Sequence, residues 1–191
     1  MTAWPDKQTL AHAPAPLPPE RLATDEVAAN PFFTVRRDRL AIGAGYDYHY
    51  LAARGDAVLV VPMLPDGRFL LERIYRHAVG TWHWEFPAGG IDADEEPLAA
   101  AQRELVEETG AVSRQWQAAG VIEPLPGLVR LRVHCFIARA VERQQEACLE
   151  AAELLQLVAC QRQEIEALLD DPAQPVSAFL SLGYLAWWRS G

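Results

Sequence analysis

Residues 89–111 read GGIDADEEPLAAAQRELVEETGA. Pro97 suits the first position of a helix, where its missing N–H costs nothing, and Gly110 suits the stop. The segment Pro97–Thr109 is therefore expected to be a helix. At about 100° per residue, Glu104, Glu107 and Glu108 fall within roughly a quarter to a third of its circumference. Leu98, Ala101 and Leu105 form an adjacent apolar strip that can pack on a sheet. Carboxylates at i,i+3 and i,i+4 repel one another, so something must offset the repulsion. A hard divalent cation with oxygen ligands does this well. Arg103 can neutralise and orient one carboxylate, and Gly89 and Gly90 let the backbone approach a ligand closely.

Outward from this helix the chain reads as strands. Residues 57–64 (AVLVVPML) form a continuous apolar run, as expected of a strand buried on both faces. Asp66-Gly67 marks a tight turn and residues 68–76 return, so 57–76 is expected to be a hairpin. Residues 82–86 read as a short strand leading into a loop at 87–90. Tyr46, Tyr48 and Tyr50 alternate with Asp47 and His49, a period-two pattern. After the helix come strands near 115–123, 131–140 and 153–159, then helices at 164–169 and 176–188. This order of mixed strands, one helix, more strands and terminal helices gives an α+β fold with a mixed sheet, not regular βαβ alternation.

Length and composition set the outer bounds. The chain has 191 residues, one domain's worth, and half of them are apolar. The formal net charge of −9 argues against a nucleic-acid binder, whose affinity comes from clustered Lys and Arg. A small phosphorylated substrate, held through metal ions and a few arginines, is compatible with it. No apolar run approaches the ~18–20 residues needed to span a bilayer. The first twenty residues lack a basic segment followed by an apolar stretch, so no signal peptide and no membrane partner are expected. Cys135, Cys148 and Cys160 form no CxxC pair and suit free thiols in a reducing cytoplasm. Residues 1–30, rich in Pro and Ala at their start, are expected to be a flexible tail.

The segment at 89–111 resembles the Nudix family. Its box is a Gly, five residues, a Glu, seven residues, then Arg-Glu-aliphatic-x-Glu-Glu-x-Gly-aliphatic. Gly89, Glu95, Arg103, Glu104, Leu105, Glu107, Glu108 and Gly110 stand at those spacings. Seven fixed residues at ~6% usage give chance odds on the order of one in a million. A solvated acidic helix face would explain three glutamates alone, but not the whole pattern. Ala111 departs from it, where a larger aliphatic is usual. The resemblance implies an α/β/α sandwich around a mixed sheet, with an antiparallel strand extension before it. It also implies metal-dependent cleavage of a nucleoside diphosphate joined to another moiety. By position, Glu104 and Glu108 match the principal metal ligands, Glu107 an auxiliary one, and the Ala88 carbonyl a backbone ligand. Glu95 and Arg103 match the pair that braces the box. Mg²⁺ is the expected metal, with Mn²⁺ the alternative.

The flanks resemble the ADP-ribose pyrophosphatase branch over most of residues 30–170. Tyr75-Arg76 precedes Trp84-Glu85-Phe86-Pro87-Ala88-Gly89, and Pro126-Gly127 follows the box by about sixteen residues. That branch usually carries an aromatic and then acidic residues after the Pro-Gly turn. Here Leu128, Val129, Arg130, Leu131 and Arg132 follow. The run 86–92 (FPAGGID) also partly resembles bacterial RNA pyrophosphohydrolases. The expected reaction is ADP-ribose to AMP and ribose 5-phosphate. The alternatives are the same chemistry on another nucleotide sugar such as GDP-mannose, or a non-catalytic nucleotide-sensing module. Arg76 is the candidate for a substrate phosphate, Glu85 for a further substrate contact, and Tyr46 for stacking a purine. Trp82, Trp84 and Tyr48 are weighed against plain packing, as are Trp187 and Trp188. His77 and His83 are weak ligand candidates, because Mg²⁺ prefers oxygen. The branch also places an acidic residue on a loop after the strand that follows the Pro-Gly turn. Glu153, then Glu150, is the candidate here for accepting the water's proton, with Glu107 or Glu108 the alternative. Residues 31–56 are expected to be a strand region contributing to a homodimer, and residues 57–191 to be the catalytic domain with its C-terminal helices.

Overall fold

The apolar run that begins at Ala57 forms a strand with both faces covered, and the other elements are arranged around it. The computed structural model describes residues 15–149 and 154–190. Its strands in chain order are β1 Arg21–Ala29, β2 Phe33–Leu40, β3 Tyr46–Ala53, β4 Ala57–Pro62, β5 Phe69–Arg76, β6 Thr81–Glu85 and β7 Ala88–Gly90. They continue with β8 Ala111–Val112, β9 Gln115–Ile122, β10 Val129–Arg130, β11 Val133–Arg139, β12 Glu142–Arg143 and β13 Leu155–Cys160. The described helices are α1 Pro97–Thr109, α2 Arg162–Asp170 and α3 Ala178–Ser190.

A mixed sheet in the order β7-β4-β11-β9 forms the centre. β4 runs parallel to β11 and antiparallel to β7. Successive side chains of a strand point to opposite faces, and β4 shows the consequence. Leu59 and Val61 join Phe69, Phe86, Ile165 and Leu180 on one side. Val58 and Val60 join Ala100, Ala101 and Leu105 of α1 on the other. With α1 on one face and α2 and α3 on the other, every side chain of the apolar run finds a core to enter. This is the expected sandwich. On α1 itself the apolar strip is shifted by a residue from the expected one. Leu98 is exposed, and Ala100 takes the buried place.

The expected hairpin at 57–76 survives only at its turn. The Leu64 N–H donates to the Arg68 carbonyl at 2.7 Å, and Met63 bridges Phe69. The two strands then diverge: β5 pairs with β6 and β13 in a separate antiparallel sheet. Residues 88–90, expected as loop, form the short strand β7 against β4. The tail expected through residue 30 ends earlier, because Arg21–Ala29 pairs with β2 as β1. All nine residues of β1 are exposed, so no apolar alternation marked the strand. β1, β2 and β3 form an antiparallel extension that β10 joins in parallel beside β3. No described helix is long and apolar enough to cross a membrane.

Candidate active site

α1 carries the site. Glu96 and Pro97 open it, and Gly110, at φ 68°, closes it by donating its N–H to the Val106 carbonyl at 2.8 Å. The helix lies on the central sheet through Ala100, Ala101 and Leu105, which fixes its rotation. That rotation buries Glu104 and Glu108 and leaves Glu107 partly exposed. Arg103 ties the cluster together. Its Nε and Nη2 donate to the two oxygens of Glu95 at 3.0 and 2.9 Å. Its Nη1 donates to Glu104 at 2.7 Å and to Glu107 at 2.9 Å, and Nη2 also reaches the Gly90 carbonyl at 2.8 Å. The guanidinium thus offsets part of the repulsion that the glutamate spacing creates. Hydrogen bonding to Glu95, then to Glu104 and Glu107, raises the Arg103 pKa against the effect of burial. The same bond, helped by the Asp92 N–H, holds the Glu95 carboxyl below its ordinary value.

The approach to the helix explains both Ala88 and Gly89. β7 pairs Ala88 with Leu59 and Gly89 with Val58, so the central strand sets its position. The Ala88 N–H donates to Glu108 Oε2 at 3.1 Å. A Cβ at Gly89 would lie 2.1 Å from the Glu104 carboxylate. Only a residue without a side chain lets that carboxylate lie against the backbone.

Glu104, Glu107, Arg103, Gly89 and Gly90 line a cavity of about 670 Å³, whose far wall includes Phe32, Arg54 and Asp56. Cys148 and Leu149 complete it. They are anchored to the end of α1: the Cys148 N–H donates to the Glu107 carbonyl at 2.7 Å, and those of Gln144 and Gln145 to the Gly110 carbonyl. Glu150 and Glu153 lie outside the described residues.

The expected substrate contacts do not line this cavity, though Arg76 lies near enough to Glu108 to feel its charge. Arg76 of β5 and Glu85 of β6 form a two-bond pair, 2.8 and 2.7 Å, reaching diagonally across a register that sets Thr81 opposite Arg76. Glu85 is buried, while Arg76 keeps part of its guanidinium side open. The Glu85 hydrogen bond raises the Arg76 pKa against burial, with Glu108 and Glu72 adding to it through their charge. Glu72 is a buried carboxylate that sequence reading passed over. It stands opposite Glu85 in the strand register and is 1% exposed. The signal was present: a glutamate directly after the apolar run Phe69-Leu70-Leu71 of a strand. Tyr46 lies at the start of β3, 54% exposed, and neither it nor Arg76 nor Glu85 lines the glutamate cavity. Trp82 packs on Tyr75, and Trp84 lies under the Arg73 guanidinium. Trp187 packs edge-on against Phe69, whereas Trp188 is exposed.

The donor chemistry of α1 suits a hard cation. Glu104 and Glu108 are buried oxygen ligands one turn apart, and Gly89 makes room for the Glu104 carboxylate where a Cβ would otherwise stand. Among the described residues no three acidic, imidazole or thiol groups already converge as a closed cage. Arg103 spans Glu104 and Glu107 instead.

The architecture is a mixed-sheet sandwich with a braced glutamate helix on one face. Residues 53–179 match the NUDIX domain, and the chain belongs to the Nudix family. Within it, the chain stands among the pyrophosphohydrolases, on the ADP-ribose pyrophosphatase-like branch. It is 30% identical over 139 residues to an ADP-ribose pyrophosphatase of Mycobacterium tuberculosis, covering 71% of this chain and 67% of that protein. It is 50% identical over 54 residues to an RNA pyrophosphohydrolase of Caulobacter vibrioides, covering 28% of this chain and 31% of the relative. In three dimensions it resembles the crystal structure of an ADP compounds hydrolase. The TM-score is 0.76 and the identity 23%, with 93% of this chain and 96% of the other covered. Nudix hydrolases generally use divalent metal ions.

Proposed function

We propose that this chain hydrolyses the diphosphate bond of ADP-ribose, giving AMP and ribose 5-phosphate, with Mg²⁺ (or Mn²⁺ in its place). Glu104, Glu108 and the Ala88 carbonyl are the proposed ligands, and Glu107 assists. The observation that carries this reading is the buried Glu104–Glu108 pair beside the Gly89 cradle, in a Nudix chain related to an ADP-ribose pyrophosphatase. The metal, when bound, lowers the pKa of a coordinated water and offsets charge developing on the phosphate oxygens. The protein's part is to hold the carboxylates in place. Arg103 fixes Glu104 and Glu107 and ties both to the Glu95 loop. Arg76, held rigid by Glu85, presents its open side to a phosphate oxygen. Glu153, with Glu150 second, accepts the water's proton. Carboxylates committed to metal are weaker bases than one left free of it, and Glu107 or Glu108 is the alternative.

A hydrolysis screen across nucleoside diphosphate derivatives tests the reading. ADP-ribose is expected among the better substrates, and Glu104→Gln and Glu108→Gln are expected to lower kcat by several orders of magnitude with an unchanged circular dichroism spectrum. Near-wild-type turnover by either variant at saturating Mg²⁺ would sink the metal assignment. GDP-mannose cleaved while ADP-ribose is untouched would move the substrate. In the same assay, Glu153→Gln and Glu150→Gln should alter the acidic limb of the pH–rate profile. An unaltered limb in both returns the proton to Glu107 or Glu108.

A further inference from the structure

Beside the glutamate cavity lies a second one of about 470 Å³, and three arginines line it: Arg54, Arg130 and Arg132. They come from two distant parts of the chain. Arg54 follows β3, Arg130 ends β10, and Arg132 leads into β11. The parallel pairing of β10 with β3 brings them together.

Each guanidinium is held from one side. Arg54 Nε donates to the Asn30 carbonyl at 2.8 Å. Arg130 lies over the Tyr50 ring, 5.9 Å from its centroid. Arg132 donates to Asp56 Oδ2 at 2.8 Å, and His134 Nε2 approaches the same oxygen at 3.2 Å. Burial works against the Asp56 charge, but the His134 and Arg132 hydrogen bonds outweigh it and keep the carboxyl below its ordinary range. Asp56 is therefore occupied as a brace. The other acid on the wall is Glu123. Among the described residues neither Arg54 nor Arg130 forms an ion pair.

In a chain of net charge −9, three guanidinium groups around one cavity call for an anion. The scissile diphosphate does not supply it. That group must lie against Glu104 and Glu108, and the arginine cavity contains none of Gly89, Arg103, Glu104 or Glu107. The two cavities do share a wall: Ala53, Arg54, Gly55, Asp56 and Leu131 line both. A molecule seated in the first can reach the second.

We propose that the Arg54–Arg130–Arg132 cavity is a subsite for a further phosphate monoester carried by the nucleoside diphosphate substrate, so that compounds bearing this third phosphate are preferred. The fork of an arginine matches two oxygens of a phosphate monoester, which suits this ligand better than a sugar hydroxyl. The inference rests on the glutamate cavity being the diphosphate site.

The test is calorimetric titration of the full chain, without divalent metal and at low ionic strength, with three compounds: ADP-ribose, ADP-ribose 2′-phosphate and ADP-ribose 1″-phosphate. One phosphorylated compound is expected to bind about tenfold or more tightly than ADP-ribose, and which one it is tells which end of the substrate enters the cavity. In the Arg130→Met/Arg132→Met double variant that ratio should fall to near one. Both arginines are solvent-facing, so folding is not at stake, and a melting curve verifies it. Equal affinity for all three compounds overturns the proposal, as does a preference that survives the substitutions or no measurable binding of either phosphorylated compound at millimolar concentration. Turnover of ADP-ribose with metal is read separately. Its absence would count against the reading of the glutamate cavity, and the affinity ratio would still decide the subsite.

Discussion

A methyl group at position 89 would lie 2.1 Å from the Glu104 carboxylate. The clash is with the far end of a flexible side chain, not with backbone, so the fold can absorb it by moving Glu104. Gly89→Ala is therefore expected to cut kcat by at least about tenfold, since misplacing a catalytic group by about an ångström is costly. The melting temperature should change little. A variant with wild-type kcat would show that the carboxylate does not need its place against the backbone. Arg103 is the other decisive residue at this scale. It joins Glu95, Glu104, Glu107 and the Gly90 carbonyl, a role open to a forked guanidinium and closed to the point charge of lysine.

The box loop and α1 work as one element, and Glu95 is the clasp between them. Its carboxylate accepts from Arg103 and from the Asp92 N–H at 3.0 Å. Those bonds depress its pKa below the ordinary 4.5. A carboxyl depressed in the folded state contributes stability above its unfolded pKa, and that contribution is lost as pH falls through the lower folded value. Wild-type protein should therefore lose melting temperature as pH drops below about 4.5, and Glu95→Gln should lose less over the same range. At neutral pH the variant should be less stable by about 0.2–1 kcal/mol, the usual worth of a partly exposed ion pair. Parallel pH dependences in the two proteins would remove Glu95 from the linkage.

For the whole molecule, the N-terminal sheet is the feature with an open edge among the described residues. β1 is exposed along its length and, among the described residues, is paired only on its β2 side. Leu22, Val27 and Phe32 face solvent there, Phe32 at 77% exposure. An open, partly apolar edge strand is a template for pairing with another chain, and two-fold dimers are the commonest oligomers. A homodimer using residues 21–53 is expected, with twice the chain mass in light scattering at micromolar concentration. A monomer mass would refute it, and Val27→Lys should weaken a dimer that exists.

The sequence by itself determined the elements whose signal is local. Pro97 and Gly110 bounded α1 to the residue, the spacing of Glu95, Arg103, Glu104, Glu107 and Glu108 marked the candidate site, and the run from Ala57 announced a strand buried on both faces. Those signals lie in windows of a few turns or one strand, where propensity and periodicity act directly. Only the tertiary structure decided what depends on remote partners. β4 and β5 share a turn yet enter different sheets, because β11 and β13, far along the chain, offer the backbone edges they pair with. Glu72 is buried opposite Glu85, and Arg76 reaches the same carboxylate from four residues out of register, because the pairing of β5 with β6 brings these side chains within reach. Arg54 meets Arg130 and Arg132 only because β10 docks beside β3. Pairing and burial between segments some seventy-six residues apart, as between Asp56 and Arg132, are settled by how the core packs, and no local stretch of sequence encodes them.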